Sequence, residues 1–444
     1  MRTVPANSLQ IVALARLMKH FGWKWIAVLT SDDEVGVQGG QDLKKSIEKN
    51  GGCVAFMDKI HLSYSTGRIR RLVETLQEYK VKVIIIHSSE VHTKMFLETL
   101  ASQNVSDKVL VFSESFTLTP GLFRKEAWRI FNGSIALSPR AMDMPGFEQH
   151  LHRLHLSRAP ADIFINIFWE KVFKCKWGGL TETSPAVSEG DGKAPEKCSG
   201  NETIGSLNTT FFEMSDLSFT YHTYLAAYAF ANALHSLMSC KMGHGPFINR
   251  SCGNTNDLKP WQVFHYVKNY NFQIRNGQNI SFDINGDAPG AYDIRNAQMH
   301  TADEVQLVKV GYFDPGQGEE VHVNMSIILW SRGSQVPRSV CSESCPSGYR
   351  QAVKEGKPAC CFDCVPCSQG EIANNANTLG QRAHGLKAKC RILQVYHRKP
   401  CLGSPPTMSG NWTRGRGRRS ACAVLRGVRH NGESRVARLL LLHV

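Results

Sequence analysis

Six cysteines crowd one short stretch near the C-terminal end of the chain. Thiols at this density bind a metal or pair as disulfides. The spacing Cys361-x2-Cys364-x2-Cys367 also occurs in iron–sulfur and zinc sites, although no histidine lies within the stretch. The stretch alone leaves both interpretations open. It reads Cys341-Ser-Glu-Ser-Cys345 and, fourteen residues further on, Cys360-Cys361-Phe-Asp-Cys364-Val-Pro-Cys367.

Asparagine sequons indicate the compartment in which the chain folds. The motif Asn-x-Ser/Thr occurs seven times in residues 1–377 and once in the remainder, at Asn411. This frequency favours passage through the secretory pathway, where disulfides form and persist. We therefore interpret the cysteine stretch as a disulfide module and predict no metal there. The seven predicted glycosylation sites are Asn104, Asn132, Asn201, Asn208, Asn249, Asn279 and Asn324.

The positive charge of the chain is confined to its end. The formal net charge is +14, and residues 378–444 hold fourteen lysines and arginines against a single acid, Glu433. Residues 1–377 are therefore nearly neutral. The tail contains Arg414-Gly-Arg-Gly-Arg-Arg419 and no sustained helical or strand period, so we expect disorder. Its charge could attract RNA, but it adjoins a domain of exported type, so we expect no nucleic-acid partner.

The sequence shows no catalytic motif and no targeting motif. No glycine-rich phosphate loop precedes a helix and no nucleophile elbow occurs, so we expect no enzymatic activity and no cofactor. The histidines of His150-x-His152-x-x-His155 have no acid or cysteine at matching spacing, which favours solvated side chains over a zinc site. The first residues do not read as a signal peptide, and no run of about 18 apolar residues predicts a membrane span.

Short apolar runs alternate with helical periods over residues 8–313. The strand–helix–strand order predicts an α/β fold with a doubly wound parallel sheet. Ligands are expected beyond the carboxyl ends of its strands, in the loops after Leu29, Ile86 and Phe112. Helical patterns follow over residues 145–240, and strand signals return at 272–313. The predicted buried strands are Trp25–Leu29, Cys53–Met57, Val83–Ile86 and Val109–Phe112, and a helix is expected at about 38–50 after the first of them.

Several segments together resemble the extracellular part of family C G-protein-coupled receptors, closest to vomeronasal type-2 and calcium-sensing-like olfactory receptors. The stretch from Val336 to Cys367 resembles the nine-cysteine domain of that family and is the most specific of them. The others are Arg2-Thr-Val-Pro5, Phe21-Gly-Trp-Lys-Trp25, Asp32-Asp33, Pro145-Gly-Phe147, Phe168-Trp-Glu170, Lys259-Pro-Trp-Gln262, Phe282-Asp283 and Gly311-Tyr-Phe313.

The resemblance implies a partial Venus flytrap, like periplasmic binding proteins, followed by a small disulfide-rich domain. The first half of lobe 1 is expected to be missing, since Arg2-Thr-Val-Pro5 resembles the crossover that leaves it, and the family pattern ends near Asn377. The implied parts are the beginning of lobe 2 (1–140), the returning half of lobe 1 (141–271), the closing strands of lobe 2 (272–335), an incomplete nine-cysteine domain (336–377) and the basic tail (378–444).

Site residues follow from the resemblance position by position. Glu114 matches an acidic contact to the ligand ammonium, and Asp33, Ser88 and Ser89 are expected at the cleft. The position at which relatives carry a tyrosine after the acids is Val35, so a generic amino-acid specificity is not carried over. The structural alternatives are a solvated loop carboxylate for each acid and strand-end capping for the serines. Calcium is a cofactor that the resemblance allows without assigning residues to it.

Disulfide pairs are implied in the same way. The bridge from Cys53 to Cys360 would tie lobe 2 to the cysteine-rich domain, and Cys367 is expected to be left over. The other implied pairs are Cys341 with Cys361, Cys345 with Cys364, Cys175 with Cys198, and Cys240 with Cys252.

The resulting hypothesis is the ligand-binding ectodomain of a chemosensory receptor. An amino acid, peptide or pheromone would close the lobes, and the cysteine-rich domain would relay closure to a seven-helix domain that this chain lacks. Dimerisation and a G protein belong to the full-length receptor, at the extracellular face of the plasma membrane. This chain is expected to be signalling-incompetent. A secreted ligand-binding or decoy module is the alternative.

Overall fold

A computed structural model describes the chain from Met1 to Ile392 with gaps. Nearly all of the basic tail lies outside the described residues, as do the predicted ligand contact Glu114 and the predicted glycosylation site Asn208. The gaps within the described part are residues 114–127, 159–161, 178–196, 205–216, 270, 275–276, 278, 302–303, 319, 332, 334, 368–370 and 373–390.

Helices and strands alternate over the first 140 residues and then segregate. The helices are α1 (Asn7–His20), α2 (Glu34–Lys49), α3 (Thr66–Glu78), α4 (Glu90–Ser102), α5 (Trp128–Phe131), α6 (Phe147–Arg153), α7 (Ile163–Phe173), α8 (Ser218–Met238) and α9 (Pro260–Asn269). The strands are β1 (Trp25–Ser31), β2 (Cys53–Ile60), β3 (Val83–His87), β4 (Val109–Phe112), β5 (Ile135–Pro139), β6 (Phe272–Gln273), β7 (Asn279–Ile280), β8 (Tyr292–Thr301), β9 (Glu304–Phe313), β10 (Val321–Val323), β11 (Tyr349–Val353), β12 (Phe362–Pro366), β13 (Glu371–Ile372) and β14 (Arg391–Ile392).

One large sheet carries the fold. Its strand order is β10-β9-β8-β5-β4-β3-β1-β2. The strands from β2 to β5 run parallel, while β8, β9 and β10 add antiparallel to the β5 edge. The parallel part matches the sheet predicted from the apolar runs, and residues 292–323 add the three antiparallel strands from a distant part of the sequence.

Alternate residues of each parallel strand build two separate cores. In β3, Ile84 and Ile86 face α3 and α4, whereas Val83 and Ile85 face the core that contains α1 and α2. All four side chains are fully buried. Burial on both faces is why these strands read as continuous apolar runs rather than as alternating patterns.

Helix α2 begins earlier than the sequence predicts. It starts at Glu34 with Asp33 as its N-cap, whereas the pattern predicted a start near residue 38. Its first turns contain Gly36, Gly39 and Gly40, which are poor helix formers and hide the helical signal. A Cβ atom at Gly36 would lie 2.2 Å from Ser31 Oγ, so a side chain is excluded where the helix passes the end of β1.

The described residues of 141–283 contribute helices and the short β6–β7 pair, and they form only small buried clusters. Two small clusters hold this part together, one around Tyr221 and Leu225 of α8 and one around Trp169 and the bridge between Cys175 and Cys198. Large apolar side chains stay exposed on its helices, including Phe164 of α7 (82%), Phe230 of α8 (57%) and Trp261 of α9 (57%).

The cysteine-rich part is built on disulfides and the β11–β12 hairpin. The described residues contain the five bridges implied by the family resemblance. The expectation for Cys367 was wrong, because Cys367 is also disulfide-bonded. A short pairing of β13 with β14 joins residues on either side of the boundary expected at residue 377.

Candidate ligand-binding edge

The carboxyl ends of β1, β2 and β3 place several polar side chains at one edge of the sheet. The parallel register pairs Ser31 with Ile60 and Thr30 with His87, so the three strands end side by side. The residues that follow are Asp32 and Asp33 after β1, His61 after β2, and Ser88 and Ser89 after β3. The predicted contacts Asp33, Ser88 and Ser89 therefore lie at the same edge.

Asp33 is exposed and caps α2. Its Oδ1 accepts the backbone N–H of Gly36 at 2.7 Å. This backbone hydrogen bond lowers the pKa of the Asp33 carboxyl below its ordinary value, with a smaller contribution from the Ser31 hydroxyl. The carboxylate is thus negatively charged at neutral pH, and its exposure leaves it open to a cation from solvent. Asp33 is thus a helix cap as well as an exposed carboxylate, and this capping is compatible with a ligand role.

Asp32 bridges two histidines from neighbouring loops. Its Oδ2 lies 2.9 Å from His61 Nε2, and its Oδ1 lies 3.4 Å from His92 Nε2. His61 Nδ1 accepts the backbone N–H of Ser63 at 3.1 Å, so the proton that faces Asp32 is on Nε2. One carboxylate therefore joins the loops after β1 and β2 to the first turn of α4.

Ser88 and Ser89 differ in their surroundings. Ser88 is buried, whereas Ser89 is half-buried and occupies the N-cap position of α4 without a side-chain bond to the helix backbone. Ser89 Oγ lies 2.7 Å from His92 Nδ1 instead. The Ser89 side chain therefore does not cap α4 and belongs to the polar group around Asp32.

His87 lies beneath this edge and is buried. Its ring packs on α2, where a Cβ atom at Gly39 would lie 2.4 Å from His87 Nε2. Burial lowers the pKa of the His87 imidazole, and the charge of Asp33 opposes that effect only in part. A neutral ring at this position separates the exposed acids from the apolar core.

The edge offers carboxylate acceptors, imidazoles and hydroxyls, which are the groups that bind a small polar ligand. Asp33 is the more available acid, because both oxygens of Asp32 are already engaged by histidines. Among the described residues, no group of three or more histidine, cysteine, aspartate or glutamate side chains is placed to hold a metal ion. His152 and His155 contact Glu148 and Ser157, respectively.

Sequence reasoning missed Asp32, His61 and His92 as a group. The residues are distant in the sequence and meet only through the register of three parallel strands. The available signal was positional, since His61 directly follows β2 and His92 lies in the first turn after Ser88-Ser89.

The other end of β2 is tied to the cysteine-rich part. Cys53, the first residue of β2, forms the disulfide with Cys360. The buried Cys361 packs into the core that contains α3 and α4. The polar edge and the attachment of the cysteine-rich part therefore lie at opposite ends of the same strand.

Sequence families and relatives match this architecture. Residues 1–299 match the receptor family ligand binding region, and residues 336–381 match the nine cysteines domain of family 3 G-protein-coupled receptors. The chain belongs to the family C G-protein-coupled receptors. Its matched residues fall in their ligand-binding region and in their cysteine-rich domain.

Individual relatives of this family C chain are receptors. It is 30% identical over 395 residues to the extracellular calcium-sensing receptor of Sus scrofa, a match that covers 85% of this chain and 37% of that receptor. Vomeronasal type-2 receptor 116 of Mus musculus is 26% identical over 82% of this chain and 42% of its own length. Metabotropic glutamate receptor 4 of Macaca fascicularis is 27% identical over 83% and 38%. The family C chain thus spans about two fifths of the length of these relatives.

The described sequons of the family C chain differ in accessibility. Asn132 is half-buried, its Oδ1 accepts the backbone N–H of Met299 at 3.2 Å, and Ser134 of the same sequon is buried. Asn132 is the least accessible of the six described sites. The exposed sites are Asn104, Asn201, Asn249, Asn279 and Asn324.

No helix in the described part of the family C chain is both long enough and apolar enough to cross a membrane.

Proposed function

We propose that this chain is the ligand-binding part of a chemosensory receptor that detects amino acids, peptides or related pheromones. The observation that carries the proposal is the polar edge at the carboxyl ends of β1 and β3, with Asp33 exposed beside the Asp32–His61–His92 group. Such edges are where open α/β sheets bind ligands. The vomeronasal type-2 and taste receptors among the relatives support the chemosensory class by their names.

The proposed ligand places its ammonium group against the acids of the edge. Asp33 supplies an exposed carboxylate, and Glu114 is assigned the same task by the family resemblance. Ser88 and Ser89 line the edge on the β3 side. Val35 is exposed where relatives carry a tyrosine, so the ammonium lacks an aromatic partner at that position and relies on the carboxylates.

The proposed domain assignment makes residues 141–271 the returning half of lobe 1. The large sheet takes its strands from residues 25–139 and 292–323 and none from the described residues of 141–283, as lobe 2 of a flytrap would. Helices α7, α8 and α9 expose apolar side chains that no strand of the described residues covers. A lobe completed by further strands accounts for these surfaces.

The proposed relay runs through β2. Its eight residues span about 26 Å at the usual rise per residue, from the disulfide at Cys53 to the edge at His61. Closure of the ligand edge would move the cysteine-rich part with it. In the full-length receptor this movement would reach a seven-helix domain and a G protein at the plasma membrane, and this chain alone would not signal.

Nuclear magnetic resonance titration of the purified chain with single amino acids tests the ligand site. We expect the amide signals of residues 32–36 and 88–92 to shift at millimolar ligand, with a Kd weaker than about 1 mM, because the described edge supplies acceptors for the ammonium but few donors for the carboxylate. Asp33→Asn should weaken the response, since it removes the charge and keeps an N-cap oxygen.

Asp42→Asn is the matched control, because Asp42 is an acid on the same helix that pairs with Gln38 and Lys45 away from the edge. Shifts that map elsewhere, or sub-millimolar affinity that Asp33→Asn leaves unchanged, would contradict the proposed site.

A further inference from the structure

The linker between the large sheet and the cysteine-rich part, residues 331–340, is hydrogen-bonded to residues at the amino end of β1. The indole of Trp23, 2% exposed, donates its Nε1–H to the carbonyl oxygen of Pro337 at 2.7 Å. The same indole packs edge-on against Trp330, which leads into the linker. The linker therefore contacts the domain built on the large sheet, which we call the sheet domain. This contact lies N-terminal to Cys341, the first cysteine of the cysteine-rich part.

Ser339 makes the densest contact of the linker. Its carbonyl oxygen accepts the backbone N–H groups of Lys24 and Trp25 at 2.8 and 3.0 Å, and its hydroxyl donates to the carbonyl of Trp25. Ser339 is 3% exposed. Three hydrogen bonds on one buried residue hold the backbone of the linker against Lys24 and against Trp25, the first residue of β1.

The disulfide between Cys53 and Cys360, which joins the sheet domain to the cysteine-rich part, lies close to the contact made by Ser339. Cys53 pairs with Trp25 in the sheet and is bonded to Cys360. The next residue, Cys361, is bonded to Cys341, two residues after Ser339. If the bridge at Cys53 opens, the linker contact and the bridge between Cys341 and Cys361 still hold the buried Cys361 against the sheet domain.

We propose that Trp23 and Ser339 form a non-covalent clamp that keeps the cysteine-rich part and the sheet domain in one orientation even without the disulfide between Cys53 and Cys360. The role of this clamp in relaying closure from the ligand edge to the cysteine-rich part rests on the proposed function. The clamp itself is a property of the folded chain and requires no ligand. Trp23 and Ser339 are positioning residues, since they act on the attachment and touch no ligand.

Arg338 provides a direct readout of the clamp. Its side chain is exposed and pairs with Glu343, but it stands between the clamped carbonyl of Pro337 and the buried Ser339. Trypsin needs an extended, displaced backbone to cut after Arg338. The initial rate of cleavage at the 338–339 bond of the native chain, measured by mass spectrometry, therefore reports how often the clamp opens.

The Trp23→Phe/Ser339→Ala variant removes two side-chain donors and retains all disulfides. We expect cleavage at this bond to accelerate about tenfold or more, because two buried hydrogen bonds are lost. In Cys53→Ala/Cys360→Ala the rate should stay within about threefold of the parent. Trp261→Phe/Gln335→Ala is the matched control, since Trp261 is exposed and Gln335 is an exposed polar residue of the same linker.

Equal acceleration in the cysteine variant, or a parental rate in the clamp variant, would overturn the proposal. If the cysteine variant fails to fold, graded reduction of the unaltered chain replaces it, with the opened bridge identified by alkylation. Molecules open at Cys53 should remain resistant at the 338–339 bond. No arm contains a ligand, so a failed clamp is distinguishable from a failed ligand site.

Discussion

Asp32 and Asp33, at the edge of the sheet, have different roles because they contact different partners. Asp32 faces two imidazoles, one from the loop after β2 and one from α4. Asp33 turns to the N-terminus of α2 and stays exposed. The charge of Asp32 is used within the protein, whereas that of Asp33 remains available to solvent or to a ligand.

Loss of the Asp33 side chain should lower stability as well as weaken ligand binding. We expect Asp33→Ala to reduce the free energy of unfolding by about 1 kcal/mol, the usual cost of a lost N-cap. Asp33→Asn should cost only a few tenths, since an amide oxygen still caps the helix. Urea unfolding of both variants checks this. Equal losses would mean that charge rather than capping stabilises α2.

His87 should make stability fall on the acid side of neutrality. Burial lowers its pKa from the ordinary value of 6.5, so above that pH the ring is neutral in both the folded and unfolded states. Below it the unfolded chain binds the proton first, and stability decreases until the pH reaches the lowered pKa of the folded state. His87→Gln should flatten the fall in the free energy of unfolding as the pH drops below 6.5.

An identical slope of stability against pH in the parent and in His87→Gln would exclude the buried ring as its source.

The glycines of helix α2 are explained by the strands against which the helix packs. Its glycines lie against the ends of β1 and β3, where a Cβ atom at Gly39 would meet the ring of His87 and one at Gly40 would meet Thr30 and Met57. Close approach of the helix is what brings the N-cap Asp33 to the ligand edge. Helical propensity is given up for that approach.

Substitution of two helical glycines by alanine should therefore change the free energy of unfolding in opposite directions. Gly39→Ala should destabilise the protein by about 1–3 kcal/mol through overpacking against His87. Gly67→Ala in α3 should stabilise it by about 0.5–1 kcal/mol, because the nearest atom to its new Cβ is 3.9 Å away. Thermal or urea unfolding of the two variants decides. Stabilisation by Gly39→Ala would show that α2 has room to move.

The elements that the sequence predicts well are those with uninterrupted apolar runs. Val83–Ile86 and Val109–Phe112 lie in β3 and β4 as predicted, because a parallel strand buried on both faces leaves no polar positions. The start of α2 was obscured by glycines whose reason is a tertiary contact. The bridge from Asp32 to His61 and His92 depends on strand register, which no local pattern specifies.

At the scale of the whole molecule, burial is uneven. The sheet domain has a core on each face, with entire strands inaccessible to solvent. The part of residues 141–283 that the structure describes has two small clusters and leaves apolar side chains exposed on α7, α8 and α9. The fold therefore predicts a difference in local stability that follows from burial alone.

Native-state hydrogen exchange should reveal that difference. Amides of β1, β3 and β4 should exchange slowest, near the limit set by global unfolding, since their opening exposes both cores. Amides of α7 and α9 should exchange at least about tenfold faster. Helix α4 is the matched control, because it is similar in length to α7 but packs Phe96, Leu97 and Leu100 against the sheet. Protection in α7 and α9 equal to that in α4 would contradict the expectation that incomplete burial lowers the local stability of these helices. It would require a partner surface, such as a second copy of the chain, to be present in solution.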